Sequence, residues 1–172
     1  IYVSNSLQVA QISLGDAGVV EHLWLRIGLC GSDKLMAGCI YRSPSSDSTQ
    51  STNDLACLLR TACAEPVSHL LIAGDFNYPL IDWVQSYSPA PDTHCTHTFL
   101  STVQDCLLFQ HVTQPTRFRE GVAPSTIDLV MTSEEGMVRN LRYLPGLGKS
   151  DHLVLHFQLA CYTVPYECDS RG

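Results

Sequence analysis

Acidic, amide, phenol and imidazole side chains gather in four short motifs of this chain. The motifs are Tyr41-Arg42-Ser43-Pro44, Gly74-Asp75-Phe76-Asn77, Ser125-Thr126-Ile127-Asp128 and Ser150-Asp151-His152. A carboxylate with a divalent cation neutralises a phosphate, an amide orients water, and an imidazole held by a carboxylate accepts or carries a proton. Each motif is weak by itself, but their joint occurrence, each beside a predicted strand, indicates attack of water on a phosphodiester.

Each motif also has an ordinary structural explanation. A Gly-Asp pair after a strand is typical of a turn, and Tyr41 is typical of a strand aromatic with its hydroxyl at the surface. Asp128 is harder to explain in this way, because it lies within an apolar strand and a buried carboxylate needs a cation or hydrogen-bond donors. We therefore predict that His152 pairs with Asp128 and that the motifs meet in one cleft. Continued strand geometry would project Asp75 and Asn77 to the same side.

The elements that must position these motifs follow from hydrophobic periodicity. Alternating or short apolar blocks predict strands at 21–29, 35–41, 69–73, 126–132, 138–144 and 153–159, and the first three residues also have strand character. Helical spacing predicts one helix capped by Thr52 or Asn53 and ended by Glu65-Pro66, and a second over 98–107. More strands than helices, mostly joined as hairpins, predict a layered α/β or α+β domain with helices on the sheet faces.

Composition excludes several classes of protein. The chain has 172 residues, 45% of them hydrophobic and 16% charged, which is typical of one globular domain. No apolar run approaches the roughly 18 residues of a membrane span, so no membrane partner is expected. A formal charge of −7 and scattered Lys and Arg argue against binding a polyanion by bulk charge. The composition is compatible with nucleic acid approached through a metal ion, since the carboxylates that bind the metal contribute to the negative charge.

The cysteine pattern predicts reduced, intracellular thiols. No two of the eight cysteines form Cys-x-x-Cys, and Cys57, Cys63 and Cys106 fall at predicted apolar helix positions. The cluster His94-Cys95-Thr96-His97 has ligand types that suit zinc but offers no fourth partner, so a polar loop is the favoured interpretation.

Taken together, the motifs resemble the endonuclease/exonuclease/phosphatase superfamily, and within it the endonuclease domain of LINE-type non-LTR retrotransposons. The opening Ile-Tyr-Val and the loop Gln114-Pro115-Thr116-Arg117 add to the resemblance, which extends from Ile1 to about Leu159. The resemblance implies a DNase I-like fold, an α/β layered sandwich of two mostly antiparallel sheets flanked by helices, here lacking its first strands. It divides the chain into a partial catalytic domain, 1–160, and a C-terminal tail, 161–172.

The resemblance also implies a role for each catalytic residue. Asp75 and Asn77 would activate and orient the attacking water. Asp128 would orient His152, which would act either as a base or as a cation beside the phosphate.

Substrate and metal roles are implied in the same way. Tyr41 would contact the scissile phosphate, and Asp151 would lie at a site for Mg²⁺, with Mn²⁺ as a possible substitute. The family's early Asn motif and its Glu metal ligand have no counterpart in the chain, and Glu21 cannot be matched to that ligand. The remaining residues would therefore form a half-site, and we expect residues 1–172 alone to be inactive.

The function implied is Mg²⁺-dependent hydrolysis of one DNA strand by the endonuclease domain of a retrotransposon. The 3′-hydroxyl that is released would prime reverse transcription, which implies a reverse-transcriptase domain in the same parent polypeptide and an intracellular, nuclear location. One alternative is a non-catalytic remnant or a domesticated binding module. A second is a phosphatase or phosphodiesterase of the same superfamily, acting on inositol phosphates or sphingomyelin.

Overall fold

Six strands form one mixed sheet, and two further strands form a second, smaller sheet. The computed structural model describes residues 1–15, 18, 20–46 and 49–161, so the predicted tail lies outside the described residues apart from Cys161. The strands are β1 (Val9–Ile12), β2 (Glu21–Gly28), β3 (Lys34–Tyr41), β4 (His69–Asp75), β5 (Phe109–Gln110), β6 (Asp128–Thr132), β7 (Val138–Leu144) and β8 (Val154–Leu159). The helices are α1 (Thr49–Ala64) and α2 (Cys95–Asp105), and 3-10 turns cover Pro44–Ser46 and Glu135–Met137.

The strand order in the large sheet is β1-β2-β3-β4-β6-β5, and β7 pairs with β8 in the small one. Strands β3 and β4 run parallel, with α1 as their connection, and every other pairing is antiparallel. This mixed α/β architecture, with a six-stranded sheet, a two-stranded sheet and two helices, confirms the predicted fold class. Within the described chain, neither helix combines the length and the apolar character that crossing a membrane requires.

The two faces of the large sheet are covered differently. One face packs against both helices and forms the main core, in which Trp24, Ile40 and Phe99 are fully buried. On the other face a smaller cluster joins the strand residues Leu25, Ile27 and Leu35 to Met137, with Leu159 packed against it. The small sheet therefore packs against part of the second face, which gives the sandwich its second layer.

Helix α1 begins at Thr49, four or five residues earlier than a cap at Thr52 or Asn53 predicts. Thr52 is fully buried inside the helix, and its hydroxyl hydrogen-bonds to the Tyr78 hydroxyl at 2.8 Å, so the prediction of a cap at Thr52 or Asn53 is wrong. The helix ends at Ala64, as Glu65-Pro66 predicts.

Helix α2 is displaced toward the N-terminus relative to its prediction. His94 caps the helix by accepting a hydrogen bond from the Thr96 backbone N–H at 3.2 Å, so the His94–His97 cluster begins a helix and is not a polar loop. The helix ends at Asp105, and Leu107, predicted to lie on its apolar face, has a left-handed φ of 52° and is 78% exposed. Phe99 lies on the buried face, as predicted.

Some strands and cysteines also differ from their predictions. The short edge strands β1 and β5 were not predicted, and the opening Ile-Tyr-Val lies outside any strand. The cysteines in the described part of the chain are free thiols. Cys63 and Cys106 are half-buried, whereas Cys57 is exposed and does not pack as predicted.

Gly74 permits close contact between β3 and β4 just before Asp75. The Gly74 φ is 153°, and a Cβ added there would lie 1.8 Å from the Ile40 carbonyl oxygen on the paired strand. Only glycine fits this backbone position without moving β3 relative to β4.

Gly74→Ala should lower the free energy of unfolding by about 3 kcal/mol or more, because backbone strain and overpacking act together. Gly121→Ala is a matched control: Gly121 also has a positive φ, 75°, but nothing lies within 4 Å of its added Cβ. It should cost only about 1 kcal/mol. Urea unfolding measures both values, and equal losses would contradict the packing explanation.

Candidate active site

The backbone register places polar residues of neighbouring strands in one row. Glu21 pairs with Tyr41, Tyr41 with Asp75, and Asp75 with Asp128. Directly paired residues project from the same face of a sheet, so these side chains share the face opposite the helices, at one end of the strands. The row joins three of the residues that the sequence predicts for the site, and adds Glu21 at its far end.

The chain leaves the sheet directly after Asp75 and turns sharply. The Phe76 N–H donates to the Ile127 carbonyl at 2.9 Å, which ties this turn to the start of β6. Asn77 has a left-handed φ of 51°, so strand geometry does not continue as predicted. The turn nevertheless brings the Asn77 N–H to the Asp75 carboxylate at 3.2 Å.

Asp128 and His152 form the predicted pair. The His152 Nδ1 atom lies 2.9 Å and 3.1 Å from the two carboxylate oxygens of Asp128. Because a carboxylate only accepts, Nδ1 carries the proton and donates it to Asp128. The Nε2 atom lies on the ring edge that faces away from Asp128.

Thr116 holds Asp128 and His152 side by side. It is fully buried, its hydroxyl oxygen accepts the Asp128 backbone N–H at 3.1 Å, and its carbonyl accepts the N–H of Leu153 at 2.7 Å. The role of Thr116 does not follow from residue chemistry, and the only signal for it in the sequence is the Gln-Pro-Thr-Arg loop.

Asp151 lies at the margin of this group. Its carboxylate accepts a hydrogen bond from Arg117 Nε at 3.1 Å, and this contact holds the pKa of Asp151 below its usual range. The His152 Nε2 atom is 3.8 Å from the other Asp151 oxygen, which is beyond hydrogen-bond distance. The metal role of Asp151 stays a prediction.

Asp75 stands beside a second carboxylate in a half-buried position. Burial raises the pKa of Asp75 and the Asp128 charge raises it further, whereas His152 and the hydrogen bonds from Asn77 act in the opposite direction. Asp75, Asp128 and His152 each offer a ligand atom, and these atoms lie within 4.8 Å of one another. Two carboxylates that repel each other across a small gap suit a hard divalent cation such as Mg²⁺ or Mn²⁺, which would relieve the repulsion.

Comparisons with known proteins identify the family and the fold. Residues 35–156, which include Tyr41, Asp75, Asn77, Asp128, Asp151 and His152, match the endonuclease-reverse transcriptase family. The chain belongs to this family. Its fold is that of the endonuclease/exonuclease/phosphatase, or DNase I-like, superfamily. No curated protein sequence matches the chain.

Solved structures show the same fold. The endonuclease domain of TRAS1, a telomere-specific non-LTR retrotransposon, is 18% identical with a TM-score of 0.62, and the match covers 89% of this chain and 68% of that domain. The catalytic domain of human Nocturnin is 16% identical with a TM-score of 0.51, covering 90% of this chain and 59% of the other. The catalytic domain of Xenopus laevis APE2 is also 16% identical, with a TM-score of 0.50 and coverage of 82% and 56%. The chain thus spans little more than half of these last two domains.

The raised pKa of Asp75 predicts a gain in stability on neutralising this residue. The ionised carboxylate is disfavoured in the folded state, so stability is lost as pH rises from the ordinary aspartate pKa, about 3.9, through the raised value. In metal-free protein, Asp75→Asn should therefore raise the urea midpoint at pH 7 and leave it nearly unchanged at pH 3. Asp92, an exposed loop residue, provides the control Asp92→Asn. A loss of stability at pH 7 in Asp75→Asn would contradict this electrostatic account.

Proposed function

We propose that this chain carries the catalytic centre of a metal-dependent DNA endonuclease of the non-LTR retrotransposon type. Its product would be a nicked strand with a 3′-hydroxyl that primes reverse transcription by another domain of the same polypeptide. The substrate would be chromosomal DNA, which implies action in the nucleus.

One observation carries this proposal: carboxylates and an imidazole from three separate segments converge at one sheet end. Asp75 ends β4, Asp128 begins β6, and His152 comes from the loop before β8, with His152 oriented by its bond to Asp128. A purely structural ion pair between Asp128 and His152 would not need a second carboxylate beside it. Burial and the Asp128 charge both raise the pKa of Asp75, and this costs stability. Such costs are typical of functional sites.

The chemistry assigned to these residues is in-line hydrolysis of a phosphodiester. Asp75 and Asn77 orient a water molecule, whose oxygen attacks phosphorus while one proton passes to Asp75. The bond from phosphorus to the 3′-oxygen breaks, and that oxygen leaves and takes up a proton from solvent water. His152, held by Asp128, faces the reacting group with Nε2, and Tyr41 contacts a phosphate oxygen.

A divalent cation, Mg²⁺ by preference, would neutralise the charge that develops on the phosphate oxygens. The Asp75 and Asp128 carboxylates would hold it, and Asp151 would contribute from the margin of the site. The acidic chain, with a formal charge of −7, would then approach DNA through the cation and not through bulk positive charge.

The direct test is nicking of supercoiled plasmid by the protein as its gene encodes it, with Mg²⁺ present. His152→Ala and Asp75→Ala should each lower the nicking rate about a hundredfold or more, because each removes a group that acts on the reacting atoms. His156→Ala and Asp92→Ala are matched controls at exposed positions and should leave the rate unchanged.

Full nicking by His152→Ala would overturn the site assignment. Release of phosphate from an inositol polyphosphate without cleavage of DNA would favour the phosphatase alternative. If the protein binds DNA but no divalent cation supports cleavage, the result would favour a non-catalytic binding module.

A further inference from the structure

The strongest unassigned feature near the site is a buried arginine directly after β3. Arg42 is 1% exposed, so its guanidinium is enclosed by protein, although the residue follows Tyr41, which pairs with Asp75 in the row of polar residues. Its backbone N–H donates to the Asp75 carbonyl at 2.9 Å, which joins the ends of β3 and β4. A fully buried arginine is costly unless its donors meet specific acceptors.

Arg42 and Asn77 are joined by two opposed hydrogen bonds. The guanidinium donates through Nη1 to the Asn77 carbonyl at 3.2 Å, and the Asn77 side-chain amide donates to the Arg42 carbonyl at 2.8 Å. Together they hold Asn77 at its left-handed φ of 51°, a conformation that costs a non-glycine residue free energy.

The guanidinium is itself held in place from the helix side of the sheet. It lies over the Tyr78 ring, 4.2 Å from the ring centroid, and Tyr78 stacks on Phe99 of α2 with a centroid distance of 4.3 Å. The Tyr78 hydroxyl bonds to the buried Thr52 hydroxyl of α1. Both helices are therefore linked to Arg42 through one aromatic ring.

We propose that Arg42 is a positioning residue for the reaction, which acts by fixing Asn77 against Asp75. The inference rests on the proposed function for its catalytic meaning. Arg42 does not touch the reacting atoms. Because the Arg42 guanidinium holds the Asn77 carbonyl, the Asn77 backbone N–H stays 3.2 Å from the Asp75 carboxylate. The two groups that orient the attacking water are then in place before the substrate binds.

Arginine suits this position better than lysine does. A planar guanidinium stacks on an aromatic face and donates in its own plane at the same time, whereas an ammonium group does not match both contacts. Arg42→Lys should keep the charge and one donor but hold Asn77 less firmly. Arg42→Met removes every donor and keeps most of the side-chain length.

Hydrogen exchange followed by NMR on the metal-free protein tests the hold on Asn77 without any activity. In Arg42→Met, the backbone and side-chain amides of Asn77 should exchange about tenfold faster or more, with a smaller effect in Arg42→Lys. Asn140 is an internal reference, because it also has a left-handed φ, 52°, and its side-chain amide bonds to Gln158 in the other sheet. Unchanged exchange at Asn77, or an equal increase at Asn140, would overturn the proposal.

A double-mutant cycle on plasmid nicking then tests whether Arg42 acts through Asn77. Arg42→Met should lower kcat about tenfold to a hundredfold with KM nearly unchanged, and the double variant with Asn77→Ala should be no slower than Asn77→Ala alone. Additive losses would mean that Arg42 does not act through Asn77. If Arg42→Met does not fold, the cycle is run with Arg42→Lys. Failure of the unmodified protein to nick DNA would contradict the proposed function. The exchange experiment would still show whether the Arg42 side chain holds Asn77 in place.

Discussion

The close approach of two carboxylates, Asp75 and Asp128, is the constraint on which the rest of the site depends. They face each other on neighbouring antiparallel strands, half-buried, and burial together with their mutual repulsion raises the pKa of Asp75. Only opposing charge or hydrogen-bond donors make this arrangement tolerable in a folded protein. His152 supplies such a partner on the Asp128 side, and Asn77 supplies donors on the Asp75 side. A divalent cation between the carboxylates would complete the compensation.

Two buried residues fix these partners to the packed sheet and helices. Thr116 connects the start of β6 to the segment that carries His152, and Arg42 connects the aromatic core between the helices to Asn77. In both cases backbone carbonyl groups are among the hydrogen-bond acceptors. The positions of His152 and Asn77 therefore depend on the path of the backbone as well as on the identity of the side chains. The site is thus positioned from both faces of the large sheet, with the carboxylates on one and support for Asn77 on the other.

The sequence predicted those features that follow from local pattern or from the cost of burying charge. The bounds of β7 followed from a strand-like block between polar and Gly/Pro-containing loops, and the Asp128–His152 pair followed from the need of a carboxylate in an apolar strand for a partner. Features set by contacts distant in sequence were missed. Thr52 was expected to cap a helix, but it lies inside the helix and hydrogen-bonds to Tyr78. Asn77 leaves strand geometry because Arg42 holds it in a turn. No periodicity encodes such contacts, since they exist only after β3, β4 and the helices have packed.

The central claim is that Asp75 and Asp128 form one cation site and not two separate surface charges. Binding of Mn²⁺ to the metal-free protein, followed by electron paramagnetic resonance, tests this most directly. Asp75→Asn and Asp128→Asn should each weaken Mn²⁺ binding at least about tenfold. The affinity of the double variant should be close to that of the weaker single variant, because both substitutions remove a ligand of the same ion. Asp92→Asn should bind as the unmodified protein does. Unchanged Mn²⁺ affinity in either Asp75→Asn or Asp128→Asn would contradict the account.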